Sequence, residues 1–331
     1  MKKYIIVSIV LLITFTSCKD SSTFKPQCTG KAYEMLCIMK KTQWESAMGD
    51  SIKACLASNM LVLPQNEPDF KIFSVSLNNF GSQLKTHRNI FEIRIDKKQK
   101  KSTIYIKRGY MAKQQTFVRV VCSSEKEFFT FYERNKYKLK KIFLDAELSR
   151  NKQYFTKYTD TKIFNKLKAR YNYSLRVPAG YNMNKDTLGF VWISQETGKN
   201  SRGVFIYSYD YVSQDQFKQE NIIAKRDEML KRFVPGSLPK SYMTTARSMD
   251  FVSRKIEQDS CYTIETRGLW ELKGDFMGGP FVNLTILNQK TNKIVCIDGY
   301  VYAPSEHKRL MTRQVEAVIK SIKFIESEKV K

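Results

Sequence analysis

The stretch Thr266–Ile286 constrains the fold most strongly, because it holds four of the chain's fourteen glycines. Glycine permits a positive φ angle and close approach of the backbone. Apolar and polar residues alternate on both sides of these glycines, as they do in β-strands with one buried face. The sequence GDFMGGP therefore predicts a tightly shaped connection between two strands.

The strand before this turn is expected to have two chemically different faces. Alternation assigns side chains to them as follows: Glu265, Arg267, Leu269 and Glu271 on one face, and Ile264, Trp270 and Leu272 on the other. One interpretation is a solvated face with a surface ion pair and, on the opposite face, a buried Trp270 with a structural role. The other is a binding site for a partner or an anionic ligand. Its candidate residues are Arg267, Glu271, Asp275, Gly278 and Gly279.

The two adjacent glycines in this set need a physical reason. Gly278 and Gly279 lie next to Trp270 and Arg267 in the predicted hairpin. Small residues at such positions imply that something approaches them closely. Either another backbone segment of this chain or a ligand would satisfy that requirement.

The first residues of the chain predict export and attachment to a membrane. Lys2 and Lys3 precede an apolar run, Tyr4–Phe15, which is too short to span a bilayer and is typical of a signal peptide. The run ends at Thr16-Ser17-Cys18, which resembles the lipobox of bacterial lipoproteins. The resemblance implies a signal peptide over 1–17, lipidation of Cys18 and a tether over 18–30. An ordinary secretory signal with an incidental cysteine is the alternative.

The residue after Cys18 bears on the membrane to which the protein is attached. Signals for retention in the inner membrane resemble Asp at that position, and here it is Lys19. We therefore expect the outer membrane, with the periplasmic face favoured over the cell surface. The membrane, through the lipid anchor, is the first expected partner.

Composition limits the other partners and the cofactors. A formal net charge of +25 favours anionic partners, such as lipid head groups, an acidic glycan or the acidic face of an envelope protein. An exported protein rarely meets nucleic acid, so nucleic acid is not expected. Six cysteines follow Cys18 without a CxxC spacing, and His87 and His307 are far apart, so we expect no metal and no cofactor. The six could form disulfides or remain buried thiols.

The order of strand-like segments predicts an α+β fold of two related halves. Arg88, Phe91 and Asp96 recur 114 residues later as Arg202, Phe205 and Asp210, which suggests an internal duplication. We expect a first repeat over 31–145 and a second over 146–331. Each should form a mostly antiparallel sheet with a long C-terminal helix packed on one face.

The ends of the two repeats predict helices of similar kind. Ser124 and Glu127 form the pattern of a capping box before an amphipathic helix, and a second helix should follow Ser305-Glu306. The second repeat carries an insertion of 67 residues, with a helix near Gln214–Phe233 and the glycine-rich stretch. An asymmetric insertion is the natural place for an added function.

Several motifs resemble an uncharacterised lipoprotein family of Bacteroidota, a domain of unknown function. They are LPQNEPDF at Leu63–Phe70, RNIFEIRI at Arg88–Ile95, the later Val234-Pro235-Gly236, and RGLWELKGDFMGGPF at Arg267–Phe281. The resemblance covers nearly all of the chain after Cys18. The resemblance implies attachment to a membrane and membership of an uncharacterised family, but it implies no activity and no catalytic residue.

Two classes of function remain after these considerations. The favoured one is a non-catalytic, lipid-anchored envelope protein that binds or assembles with a partner protein or an anionic glycan. The alternative is an envelope hydrolase or transferase that uses carboxylates such as Glu265, Glu271, Asp275 and Asp298 for acid and base catalysis. The sequence contains no Gly-x-Ser-x-Gly motif and no phosphate-binding loop.

Overall fold

The computed structural model describes residues 25–187 and 189–325, which form two α+β halves. The predicted fold class and the presence of two halves are confirmed. Cys18 and the predicted signal peptide lie outside the described residues. No helix within the described residues is both long and apolar enough to cross a bilayer.

The first half is built on a five-stranded sheet. Its elements are β1 (Glu34–Ile38), α1 (Lys41–Trp44), α2 (Ala47–Leu56), β2 (Lys71–Val75), β3 (Asn89–Ile95), β4 (Thr103–Arg108), β5 (Thr116–Cys122) and α3 (Glu125–Lys157). The strand order is β2-β1-β3-β5-β4, and only the β4–β5 pair is antiparallel. The expectation of a mostly antiparallel sheet is wrong for this half. Its near-continuous apolar strands are typical of parallel sheets, because those are buried.

One face of this sheet packs against α2 and α3. Met35, Cys37, Phe91, Val118 and other alternate strand residues are buried there. The predicted apolar face of α3 meets them through Phe128, Tyr132, Leu139 and Phe143. At the start of α3 the Ser124 hydroxyl accepts a hydrogen bond from the Glu127 N–H, as the sequence pattern predicts.

The helix α3 is longer than the sequence pattern indicates. It runs for 33 residues to Lys157, so the predicted boundary at 145/146 falls inside a continuous helix. Glu147 and Arg150 lie in its last third and contact Asn89 in β3. This part of α3 therefore still belongs to the first half.

The second half is built on an antiparallel sheet. Its elements are α4 (Thr161–Tyr171), β6 (Tyr173–Ser174), β7 (Asn182–Thr187), β8 (Phe190–Thr197), β9 (Asn200–Asp210), α5 (Gln219–Phe233), β10 (Tyr242–Thr245), β11 (Val252–Gln258), β12 (Cys261–Lys273), β13 (Gly278–Asn288), β14 (Lys293–Tyr302), α6 (Arg309–Ile319) and β15 (Lys323–Phe324). The strand order is β10-β12-β13-β14-β9-β8-β7, with β11 also paired to β12. The short strands β6 and β15 pair with each other.

Helices cover both faces of the second sheet. On one face Leu284 and Ile297 pack against α4 and α6, and on the other Phe205 and Trp270 pack against α5. The predicted helix in the insertion is α5, preceded by a 3-10 turn at Gln214–Phe217. The second C-terminal helix begins at Arg309, and at 11 residues it is not long.

The topology does not support the internal duplication. In the first half β2 and β3 lie on opposite sides of β1 and are parallel to it. In the second half β7, β8 and β9 form a direct antiparallel meander. The residues that repeat at an offset of 114 therefore lie in sheets of different connectivity.

The two halves meet where the loop after α2 contacts α6. The Glu67 carboxylate accepts hydrogen bonds from the backbone N–H groups of Lys308, at 2.6 Å, and Arg309, at 3.1 Å. An acid there satisfies unpaired N–H groups and the positive end of the helix dipole. The Asp69 carboxylate accepts a hydrogen bond of 2.5 Å from Arg313 in α6. The LPQNEPDF motif thus joins the halves.

The six cysteines within the described residues are free thiols. Cys37, Cys55, Cys122 and Cys296 are buried, and Cys28 and Cys261 are partly exposed. The sequence allowed either disulfides or buried thiols, and in the structure the cysteines are free thiols.

Candidate functional site

The glycine-rich stretch forms the β12–β13 hairpin. The register pairs Arg267 with Val282, Trp270 with Gly279, and Glu271 with Gly278. Gly274 has a φ of +82° in the turn, a conformation that favours glycine. The predicted hairpin and the predicted division of its faces are both present.

The backbone of this chain approaches Gly278 and Gly279 closely. A Cβ atom on Gly279 would lie 2.0 Å from the Val301 carbonyl oxygen, and one on Gly278 would lie 2.9 Å from the Trp270 carbonyl oxygen. Neither distance is tolerable for a real side chain. The packing of β13 against its neighbours therefore accounts for both glycines without a ligand.

Arg267 is buried in a network of ion pairs, contrary to the expectation of an exposed pair. Its guanidinium donates to Glu265 at 2.9 Å and to Glu316 in α6 at 2.6 Å. Lys320 lies 2.7 Å from a carboxylate oxygen of each of these acids. Arg267 thus holds α6 to the sheet and does not pair with Glu271.

The network keeps its acids ionised. Burial by itself would raise the pKa of the Glu265 carboxyl, but the Arg267 guanidinium and the Lys320 ammonium outweigh it and lower that pKa to about 2. Burial is likewise outweighed at Glu316, where Arg267, Lys320 and Arg313 hold the pKa well below its usual range. Neither acid can donate a proton near neutral pH.

The four candidate catalytic carboxylates do not converge. Glu265 faces α6, whereas Asp298 faces α5 and binds the Arg226 guanidinium at 2.6 Å. Glu271 is exposed, and Asp275 accepts a hydrogen bond of 2.8 Å from the Ser237 hydroxyl. Glycoside hydrolysis needs two carboxyl groups on either side of one glycosidic bond, and Glu265 and Asp298 lie on opposite faces of the sheet.

An aromatic groove opens on the α5 face of the second sheet, with a volume of about 270 Å³. Its apolar and aromatic lining is Trp192, Val234, Pro235, Met243, Trp270, Leu272, Met277, Tyr300 and Tyr302. The Trp270 Nε1–H donates to the Val301 carbonyl at 3.1 Å, and the Trp192 Nε1–H donates to the Tyr300 hydroxyl at 3.1 Å. Because both indole N–H groups are satisfied internally, the groove offers mainly apolar surface.

Two exposed apolar side chains adjoin, in sequence, the groove-lining residues Met277 and Ser237. Phe276, at the tip of the β12–β13 hairpin, is fully exposed, and Leu238 is about half exposed. The hydrogen bond between Asp275 and Ser237 ties together the two loops that carry them. We call Phe276 and Leu238 the groove rim. A fully exposed Phe leaves apolar area in water that burial against a partner would remove.

Sequence reasoning found the hairpin but missed most of the groove. Trp192 comes from a strand far from the hairpin in sequence, Tyr300 and Tyr302 come from the strand that follows it, and the sheet register brings them together. The fully exposed Phe276 lies within the glycine-rich stretch, but its exposure was not predicted. Its position between Asp275 and two glycines, at a turn, was the available signal.

The described residues contain no group of three or more His, Cys, Asp or Glu side chains arranged to hold a metal ion. The polar residues that line the groove are Glu196, Lys199, Asn200, Ser201 and Ser237. They can supply a few hydrogen bonds to a ligand.

Comparison with known proteins gives two family matches. Residues 28–156 match a domain of unknown function (DUF8532), and residues 160–321 match another (DUF4837). The chain thus resembles uncharacterised domain families along most of its length. The matched ranges separate between the end of α3 and the start of α4.

The other comparisons give little similarity. A search of curated proteins gave no match. One solved structure that matches is the solution structure of cyanobacterial PsbP (CyanoP) from Synechocystis sp. PCC 6803, with 11% sequence identity and a TM-score of 0.32. The match covers 50% of this chain and 90% of that chain. A TM-score of this size does not indicate a shared fold.

The position of Arg267 predicts a large effect on stability. Arg267→Ala leaves Glu265 and Glu316 with fewer cations in a buried site and should lower the free energy of unfolding by about 3–5 kcal/mol. Arg254→Ala is the matched control, because Arg254 pairs with the same Glu265 but its side chain is 57% exposed. The control should cost at most about 1 kcal/mol. Urea unfolding measures both, and equal losses would contradict the assigned role.

Proposed function

We propose that this protein is a lipid-anchored, non-catalytic binding component of a bacterial cell envelope. Its aromatic groove and groove rim would hold an apolar segment of a partner protein. The observation that carries the proposal is the fully exposed Phe276 beside an open groove lined by two Trp and two Tyr residues.

The composition of this surface favours a protein as the ligand. Aromatic side chains in a partly closed groove are typical of the residues that dominate binding energy at protein interfaces. Met243 and Met277 are flexible and can adapt to a partner's side chain. An exposed Phe at the rim then adds apolar area that association removes from water.

The charges at the groove do not favour an anionic glycan there. Among the described residues that line it, Lys199 is the one basic side chain, and Glu196 lies near it on the same hairpin. A sulfated or carboxylated glycan needs several cations in contact with it. The alternative of an envelope hydrolase is weakened because Glu265 and Asp298 are committed to ion pairs.

The proposed location at the outer membrane rests on the sequence. The short apolar run before Cys18 is typical of an exported lipoprotein, and Lys19 favours the outer membrane, with the periplasmic face preferred. A lipid anchor would keep the whole protein at the membrane and so limit the partners of the groove to envelope proteins. The resemblance to Bacteroidota lipoproteins agrees with this location.

The location is tested at Cys18. Cys18→Ala removes the thiol that would carry the acyl chains, so the protein should move to the soluble fraction and no longer incorporate labelled fatty acid. Cys28→Ala is the control, since Cys28 lies in the described part of the chain and is not expected to be lipidated. Unchanged fractionation of the Cys18→Ala protein would refute the anchor.

The binding role is tested at Phe276. Phe276→Ser removes an exposed ring without disturbing the core, so the melting temperature should stay nearly constant. Loss of a central aromatic contact should weaken partner binding by at least about 2 kcal/mol, or roughly 30-fold. Val212→Ser is the matched control, because Val212 is also highly exposed but is not part of the groove. Binding is measured by quantitative co-purification from solubilised membranes.

Crosslinking shows whether the partner occupies the groove itself. A photoreactive amino acid at position 238 or 276 should capture one and the same envelope protein, and the same amino acid at the exposed position 137 on α3 should not. If Phe276→Ser retains every partner of the wild-type protein and positions 238 and 276 capture nothing in common, the groove is not a protein-binding site.

A further inference from the structure

The surface of the first half away from α2 and α3 is only partly covered. Phe80 and Met111, from two loops, pack there on Ile38, Ile90 and Phe117. The edge strands β2 and β4 and the loops around them remain open to solvent. We call this area, formed by β2, β4 and the loops 76–88, 97–102 and 109–115, the basic surface.

The basic surface is mainly positively charged, and the exposed Asp96 at the start of loop 97–102 is the acid that adjoins it. Residues 70–91 and 97–124 contain no Asp or Glu. Seven of its exposed cations are Lys71, Lys85, Lys97, Lys98, Lys100, Lys101 and Lys107. None of them pairs with a carboxylate among the described residues. Glu92, from the strand between these segments, is itself neutralised by Arg94 and by Arg119 at 2.7 Å.

Apolar side chains stand among these cations. Phe73, Leu77, Tyr105 and Tyr110 are all exposed by more than a third. The Lys107 ammonium lies 4.2 Å from the centre of the Tyr110 ring, and the Lys71 ammonium lies 5.2 Å from that of Phe73. Aromatic rings mixed with lysines suit the boundary between lipid headgroups and acyl chains, where each side chain meets both environments.

The first described residues, Lys25 and Pro26, contact this surface. Lys25 Nζ donates to the Gly109 carbonyl at 2.6 Å, and the Lys113 N–H donates to the Pro26 carbonyl at 2.8 Å. Only a short segment separates Cys18 from Lys25, with a reach of about 25 Å when extended. An anchor at Cys18 therefore brings the basic surface, rather than the groove of the second half, close to the bilayer.

We infer that the basic surface lies against an anionic phospholipid bilayer. Clustered lysines gain electrostatic free energy from anionic headgroups, and the exposed aromatic rings gain from partial insertion. This contact does not involve the aromatic groove. It would fix the orientation of the whole protein on the membrane, which a lipid anchor alone cannot do.

Vesicle binding tests the inference with the whole chain. The probes are vesicles of phosphatidylcholine alone and of phosphatidylcholine mixed with phosphatidylglycerol. Sedimentation measures the bound fraction. The apolar run at 4–15 affects both vesicle types, so the difference in affinity measures electrostatic attraction, to which Lys2 and Lys3 also contribute. Wild-type protein should bind the anionic vesicles more tightly, and added salt should weaken that preference.

Charge reversal then locates the contact. The double substitution Lys101→Glu and Lys107→Glu should reduce affinity for the anionic vesicles about 25-fold or more. Lys162→Glu with Lys168→Glu is the matched control, because it changes the net charge equally on exposed positions of α4. The control should reduce affinity by less than about 3-fold.

Three outcomes would overturn the inference. Equal binding to both vesicle types would exclude an anionic lipid contact. Equal losses from the two double variants would mean that net charge attracts the whole molecule and no particular surface. If anionic vesicles do not bind but the Lys101→Glu and Lys107→Glu protein loses a partner in co-purification, the surface belongs to an acidic protein instead.

Discussion

A chain of buried ion pairs around α6 holds the two halves together, and the rest of the structure depends on it. It begins at Asp69 in the first half and passes through Arg313 and Glu316 in α6 to Arg267 and Glu265 in β12. Acidic and basic side chains alternate along this series of ion pairs, so each charge has partners of opposite sign. Because an unpaired buried charge costs several kcal/mol, α6 can occupy only the position that satisfies all of them.

The two faces of the second sheet have different roles, and the ion pairs occupy the face that packs against α6. The α6 face of the second sheet is closed by these pairs, so its charged residues are not available to a ligand. The α5 face is also buried over most of its area but opens at one end as the aromatic groove. The proposed partner site therefore lies on the sheet face opposite the ion pairs. The basic surface belongs to the first half and is separate from both.

The sequence predicted local structure better than long-range contacts. Alternation along β12 correctly assigned its two faces, and the Ser124 pattern correctly predicted the start of α3. It could not predict that Arg267 pairs with Glu316, because that partner lies 49 residues away on a helix whose position depends on tertiary packing. Parallel pairing of β1 with β2 and β3 was missed for the same reason, since apolar strands of either kind look alike. The groove was missed because it needs four separate segments.

The measurement that tests this account most directly is a double-mutant cycle between Asp69→Asn and Glu265→Gln. The two acids are at opposite ends of the ion-pair chain and have no direct contact, so only the residues between them can couple their effects on stability. If the chain acts as one unit, urea unfolding should give a coupling free energy of at least about 0.5 kcal/mol. Losses that add within about 0.3 kcal/mol would show that the two halves are joined by independent contacts and would contradict the account.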